Sequence, residues 1–198
     1  MSEAAKVVSV EAIPLKIPFT HGGPSVSWAG SDWQALEIVL VRLQTDSGLV
    51  GWGEAFSYNC RRAVVAMIED SAANVLVDKL VSERVQIMHE LQVGMHLWGR
   101  YGISMFAISG IDIALWDLTA KAADQSLGQM LGGNKKMLPA YASLLKYRDP
   151  EVVAEQTADA IANGYGLIKL HESTVEPVKA ARDVAGSEVP IMLDVNCA

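Results

Sequence analysis

Residues 138–196, "LPAYASLLKYRDPEVVAEQTADAIANGYGLIKLHESTVEPVKAARDVAGSEVPIMLDVN", decide the fold. They read as strand (138–144), helix (149–166), strand (167–172), helix (175–188) and strand (189–196), the rhythm of parallel βαβ units. Ser143, Lys169 and Asp194 each lie near the C-terminal end of a strand, separated by 26 and 25 residues. That is the spacing expected when each unit of a (β/α) barrel delivers one side chain to the same rim, where such barrels keep their active sites. Asp194 and Asn196, two apart on an extended segment, point the same way. Three strands cannot close a barrel, which takes eight, so five more units of roughly 25 residues would bring the chain to about 320. The expectation is a barrel that is incomplete here, cut after its third strand.

Upstream, residues 1–137 have a different rhythm and read as an α+β domain. "KVVSVEAIPLKI" (6–17) is β-branched and partly alternating. "ALEIVLVRLQT" (35–45), "DSG" and "LVGWGEA" (49–55) form a β-hairpin whose turn carries the Asp and Gly such turns need. Helical spacing follows over 61–80, 82–92 and 104–124, the last apolar nearly all round and hence expected in a core. "LGG" (131–133) supplies glycines that cap a helix C-terminus.

The 198 residues are 51% hydrophobic and 20% charged, with a net charge of −7 and no Lys/Arg cluster. Nucleic acid and anionic membrane both demand clustered positive charge, so neither is an expected partner. "MSEAAKVVSVEA" lacks the basic start and apolar core of a signal peptide, which makes the cytoplasm the expected compartment. Cys60 and Cys197, far apart and outside any CxxC spacing, indicate neither a disulfide framework nor a zinc site.

The segment Ala107–Gly132, "AISGIDIALWDLTAKAADQSLGQMLG", resembles the signature segment of the mandelate racemase/muconate lactonizing enzyme family of the enolase superfamily. It departs from that pattern mainly at Met130, where Leu is usual. "YAS", "IKLH" and "LDVN" fall where the family's first three barrel strands fall. The resemblance implies an α+β capping domain (1–137) followed by the start of an α/β, TIM-like barrel (138–198). It also implies a Mg²⁺-dependent enzyme that removes the proton α to a carboxylate through an ene-diolate, whose charge the metal stabilises. By the same resemblance Asp194 matches the first of three carboxylate ligands to Mg²⁺, an assignment that suits a hard, oxygen-preferring cation. Asn196 matches a position that contacts substrate or the groups that support the site, and Ser143 matches a first-strand position at the substrate, with a hydrogen bond to backbone as its alternative.

The family's second strand usually carries Lys-x-Lys, and this chain has Lys169 and His171. A Lys near 10.4 must fall by roughly three units to act as a base at pH 7, whereas a His near 6.5 needs almost no shift. His171 is therefore a plausible base, yet the substitution breaks the family pattern and a ring reaches a different point from a lysine stem. The base is Lys169, His171 or a residue on later strands. "THGGPSVSWAGSDW" (20–33) lacks the G-K-[ST] ending of a phosphate loop and suits a lid that brings Trp28 and Trp33 over a pocket, with an ordinary surface connection as the alternative. In the family, the loop at this place helps choose the substrate.

Asp112 and Asp117 lie on the apolar helix, where Asp117 and Lys121 have ion-pair spacing and a structural role. His89 and His96 lack the i, i+4 spacing of a helical metal pair and read as surface or packing residues. The resemblance implies an acid-sugar dehydratase or a racemase/epimerase, with a cycloisomerase of the same family as the alternative, and among these a polar rim of Lys, His and Asn favours acid-sugar dehydration. The alternative of another class is a truncated, non-catalytic fragment or interaction protein. The expected partners are a small carboxylate substrate and further copies of the chain.

Overall fold

The computed structural model describes residues 5–23, 27–28, 31–134 and 137–195. These divide into two units, one from residues 1–17 and 35–135, the other from residues 18–34 and 136–198. Segment 18–34, which the boundary at residue 137 leaves with the first domain, thus clusters with the second unit.

In the first unit, β1 (Val7–Pro18), β4 (Ala35–Thr45) and β5 (Val50–Phe56) form a sheet in the order β1-β4-β5, with β4 and β5 antiparallel around the expected turn. Gly48 takes φ +86 there, which a side chain resists. Alternation along β4 buries Val39, Val41 and Leu43 on one face. Helices α1 (Arg61–Ala66), α2 (Ala73–Leu76), α3 (Arg84–Gly94) and α4 (Ile103–Ala122) cover that face. The helical spacing over 61–80 overruns the helix, which passes through a π-helical stretch, Met67–Ala72, and ends at Leu76. The chain leaves it because the backbone there joins β1 instead: Asp78 N–H donates to the Val7 carbonyl and Val7 N–H to the Lys79 carbonyl, each at 2.9 Å.

Helix α4 is long and apolar enough to cross a membrane by length and composition alone, but half of it is buried in this core, including Ile111, Leu115 and Leu118. Asp117 accepts from Trp52 N–H at 2.8 Å and pairs with Lys121 at 2.7 Å, so both serve the fold. Asp112 pairs with Arg84 at 3.0 Å. The helix lies so close to β5 that a Cβ on Gly53 would strike the Gly110 carbonyl. Short α5 (Leu127–Met130) starts at a capping box between Ser126 and Gln129, and Gly132, φ +81, follows its C-terminal cap at Leu131.

The second unit holds two pieces. Within segment 18–34, β2 (Ser27–Trp28) and β3 (Ser31–Asp32) pair as a small antiparallel hairpin. The rest is strand–helix alternation: β6 (Ala142–Ser143), α6 (Pro150–Ala162), β7 (Ile168–Leu170), α7 (Val175–Ala185) and β8 (Ile191–Leu193), with the three strands parallel in the order β6-β7-β8. Asp149 caps α6 through Glu151 N–H at 2.9 Å, with Pro150 in the first turn where its missing N–H costs nothing. Ile168 and Leu170 are fully buried with Val153, Ala160 and Ala181, each large side chain contributing about 1.5–3 kcal/mol. Burying that face turns Lys169 to the other one.

Candidate active site at the strand ends

The parallel register fixes which side chains meet. Ser143 pairs with Lys169, and Lys169 with Met192, so Ser143, Lys169 and Met192 share one face of the sheet. Asp194, two residues beyond Met192, extends from the same face, its N–H held by the Leu170 carbonyl at 2.9 Å. Lys169, His171 and Asp194 therefore converge. Lys169 Nζ lies 2.7 Å from Asp194 Oδ2 and His171 Nε2 lies 3.8 Å from the same oxygen. Ser143 is exposed on the neighbouring strand, and Lys169 Nζ sits 6.0 Å over the Tyr141 ring.

The His171 ring is oriented by the backbone. Its Nδ1 lies 2.5 Å from the Leu144 carbonyl, which can only accept, so Nδ1 carries the hydrogen. In the neutral ring Nε2 then keeps its lone pair and faces the rim, the arrangement a general base requires. Lys169 is in the opposite condition. Its hydrogen bond to Asp194 raises its pKa above 10.5, outweighing the opposing effect of desolvation, so it stands as an ammonium. Of the two, Lys169 is suited to bind a carboxylate and His171 to accept a proton.

The Asp194 carboxylate is 39% exposed at the rim, and as a hard oxygen donor it suits a divalent ion as one ligand among six, in competition with the Lys169 ammonium. Among the described residues no cluster of three His, Cys, Asp or Glu side chains could hold a metal by itself. Glu172 does not add to the set, because its oxygens are taken: Oε1 accepts from Tyr147 N–H at 2.7 Å and Arg148 N–H at 3.0 Å, and Oε2 from Arg148 N–H at 3.2 Å. This residue escaped the motif reading. The signal was in the alternation, since Ile168, Leu170 and Glu172 share the buried face and a carboxylate there must find donors.

The remaining candidates divide. Asn196 and Cys197 lie outside the described residues, as does the side chain of Trp28, whose backbone belongs to β2. Trp33 packs edge-on against Phe19 at 5.2 Å between ring centroids. His21 is half-buried, its ring 6.2 Å from that of Tyr147. His89 and His96 are exposed and far along the chain from this rim. Burial raises the Cys60 thiol pKa, which lowers its thiolate fraction and its reactivity.

The family model for the mandelate racemase/muconate lactonizing enzyme N-terminal domain matches residues 10–132. The arabinonate dehydratase of Saccharolobus solfataricus is 33% identical over 174 residues, covering 81% of this chain and 46% of that protein. Other similar proteins are cycloisomerases and a racemase. Among solved structures, an enolase superfamily member from Polaromonas sp. JS666 superposes with a TM-score of 0.83 at 32% identity, covering 96% of this chain and 52% of that one. A racemase from Streptomyces coelicolor A3(2) with bound magnesium superposes with a TM-score of 0.84 at 25% identity, covering 96% and 55%. The chain spans about half the length of the curated relatives it matches.

Proposed function

Because the chain belongs to the mandelate racemase/muconate lactonizing enzyme family, whose N-terminal domain model matches residues 10–132, we propose that the protein in its full length removes the α-proton of an acid sugar. The observation that carries this reading is the convergence of Lys169, His171 and Asp194 on one strand-end rim. Strands β6, β7 and β8 are read as the first three of a (β/α) barrel, with Mg²⁺ as the cofactor and Asp194 as one of its ligands. When bound, the ion supplies Lewis-acid stabilisation of negative charge on the substrate carboxylate.

The chain's own residues take the other roles. Lys169 holds the substrate carboxylate as an ammonium. His171 Nε2 takes the α-proton, and the electron pair of the broken C–H bond passes to the carboxylate. The Leu144 carbonyl keeps Nδ1 protonated throughout and steadies the imidazolium that forms. In dehydration the electron pair returns from the carboxylate as the bond to the β-hydroxyl breaks, and the hydroxyl leaves as water with the proton that His171 took. Ser143 and Asn196 contact the sugar, and Trp28 closes over it. Similarity to an arabinonate dehydratase supports dehydration. Racemisation and cycloisomerisation, named in other relatives, begin with the same proton removal. The same reading keeps the protein in the cytoplasm as a homo-oligomer.

The test is proton NMR in deuterated solvent with MgCl₂ and a panel of aldonic and aldaric acids that includes arabinonate. Loss of the α-proton signal, followed by a 2-keto-3-deoxy product, is the expected outcome. Failure to exchange the α-proton of any of these acids would sink the proposal.

A further inference from the structure

We infer that Glu172 and Tyr147 are positioning residues that hold the segment Phe19–Gly23 at the rim, and so govern which substrates reach Lys169 and His171. The inference rests on reading that rim as the active site. Its physical basis is a continuous set of contacts. Glu172, 1% exposed, accepts from Tyr147 N–H at 2.7 Å and Arg148 N–H at 3.0 Å. Arg148 takes φ +67, a conformation a non-glycine residue keeps only when its surroundings hold it there. The carboxylate is placed to do so.

Fixing the backbone at Tyr147 aims its side chain. The phenol, 7% exposed, donates to the His21 carbonyl at 2.7 Å. Burial raises the Tyr147 pKa, so the hydroxyl keeps its proton for that bond. The segment fits closely against its support: a Cβ on Gly23 would strike the Tyr147 ring, and one on Gly22 the Gln156 amide. Phe19 N–H in turn donates to the Gln34 carbonyl at 3.2 Å, which closes the base of the loop. A carboxylate just beyond strand β7, beside His171, thereby sets the position of a segment about 150 residues earlier in the sequence.

Hydrogen–deuterium exchange on the full-length protein tests this. Tyr147→Phe keeps the ring and removes only the hydroxyl. The expected result is exchange roughly fivefold faster at the Phe19 amide, the factor for one lost hydrogen bond, with the thermal midpoint unchanged. Glu172→Gln is expected to speed exchange at Tyr147, Arg148 and Phe19 together. On an acid sugar that the wild type turns over, Tyr147→Phe raises KM about fivefold and leaves kcat alone, a split that a residue merely filling the core does not produce. Unchanged exchange at Phe19 in Tyr147→Phe overturns the inference whatever the activity. A wild type with no turnover refutes the functional reading instead, and the exchange result still decides the role of Tyr147 and Glu172.

Discussion

Lys169 Nζ lies 2.7 Å from Asp194 Oδ2 although the strand register pairs Lys169 with Met192. The two side chains reach diagonally across the rim, and their contact raises the Lys169 pKa above 10.5. A lysine with a raised folded-state pKa contributes stability that is fully present below 10.5 and is lost as pH rises through the folded value. In metal-free protein, Asp194→Asn is expected to bring the Lys169 titration back down and to remove that alkaline loss. Carbon-detected NMR of the lysine ε position measures it.

The same carboxylate is assigned to the metal. Asp194→Asn is expected to weaken Mg²⁺ binding at least about tenfold, the lower bound for groups that only support a ligand. Isothermal titration checks it, and undiminished affinity would move the metal elsewhere.

His171→Asn separates orientation from chemistry. An asparagine amide can still donate to the Leu144 carbonyl, as Nδ1 does, but nothing replaces Nε2. The expected effect is a fall in kcat of about 10²–10⁴, with the fold and Mg²⁺ binding intact. Steady-state kinetics beside circular dichroism decides between loss of the base and loss of structure.

Glu172→Ala leaves two N–H groups, the buried one of Tyr147 and the part-buried one of Arg148, without their carboxylate acceptor. The variant is expected to lose about 2 kcal/mol of unfolding free energy, measured by urea denaturation. A change within error would mean that water replaces the carboxylate and that the buried position is permissive.

Gly53→Ala introduces a methyl where the Gly110 carbonyl of α4 already sits, a backbone obstacle that cannot rotate away. The expected cost is about 3 kcal/mol or more in the first unit, read as a lowered thermal midpoint. Gly48→Ala, with no atom within 4 Å but φ +86, tests backbone strain alone and is expected to cost less.

What the amino-acid sequence determined by itself was everything set by local periodicity. Period-two alternation at Ile168, Lys169, Leu170 and His171 assigns a buried face and a rim face. The Asp-Ser-Gly turn set the register of β4 on β5, and even spacing aligned Ser143 with Lys169. Long-range contacts decided the rest, because they depend on which backbone groups remain unpaired after local structure has formed. Such contacts ended the helix at Leu76, turned the His171 ring toward Leu144, and let Asp194 pass its register position to meet Lys169. Glu172 shows the boundary between the two. Alternation places its carboxylate on the buried face, but only folding could supply Tyr147 and Arg148 as its donors, since an uncompensated charge there would be too costly to bury.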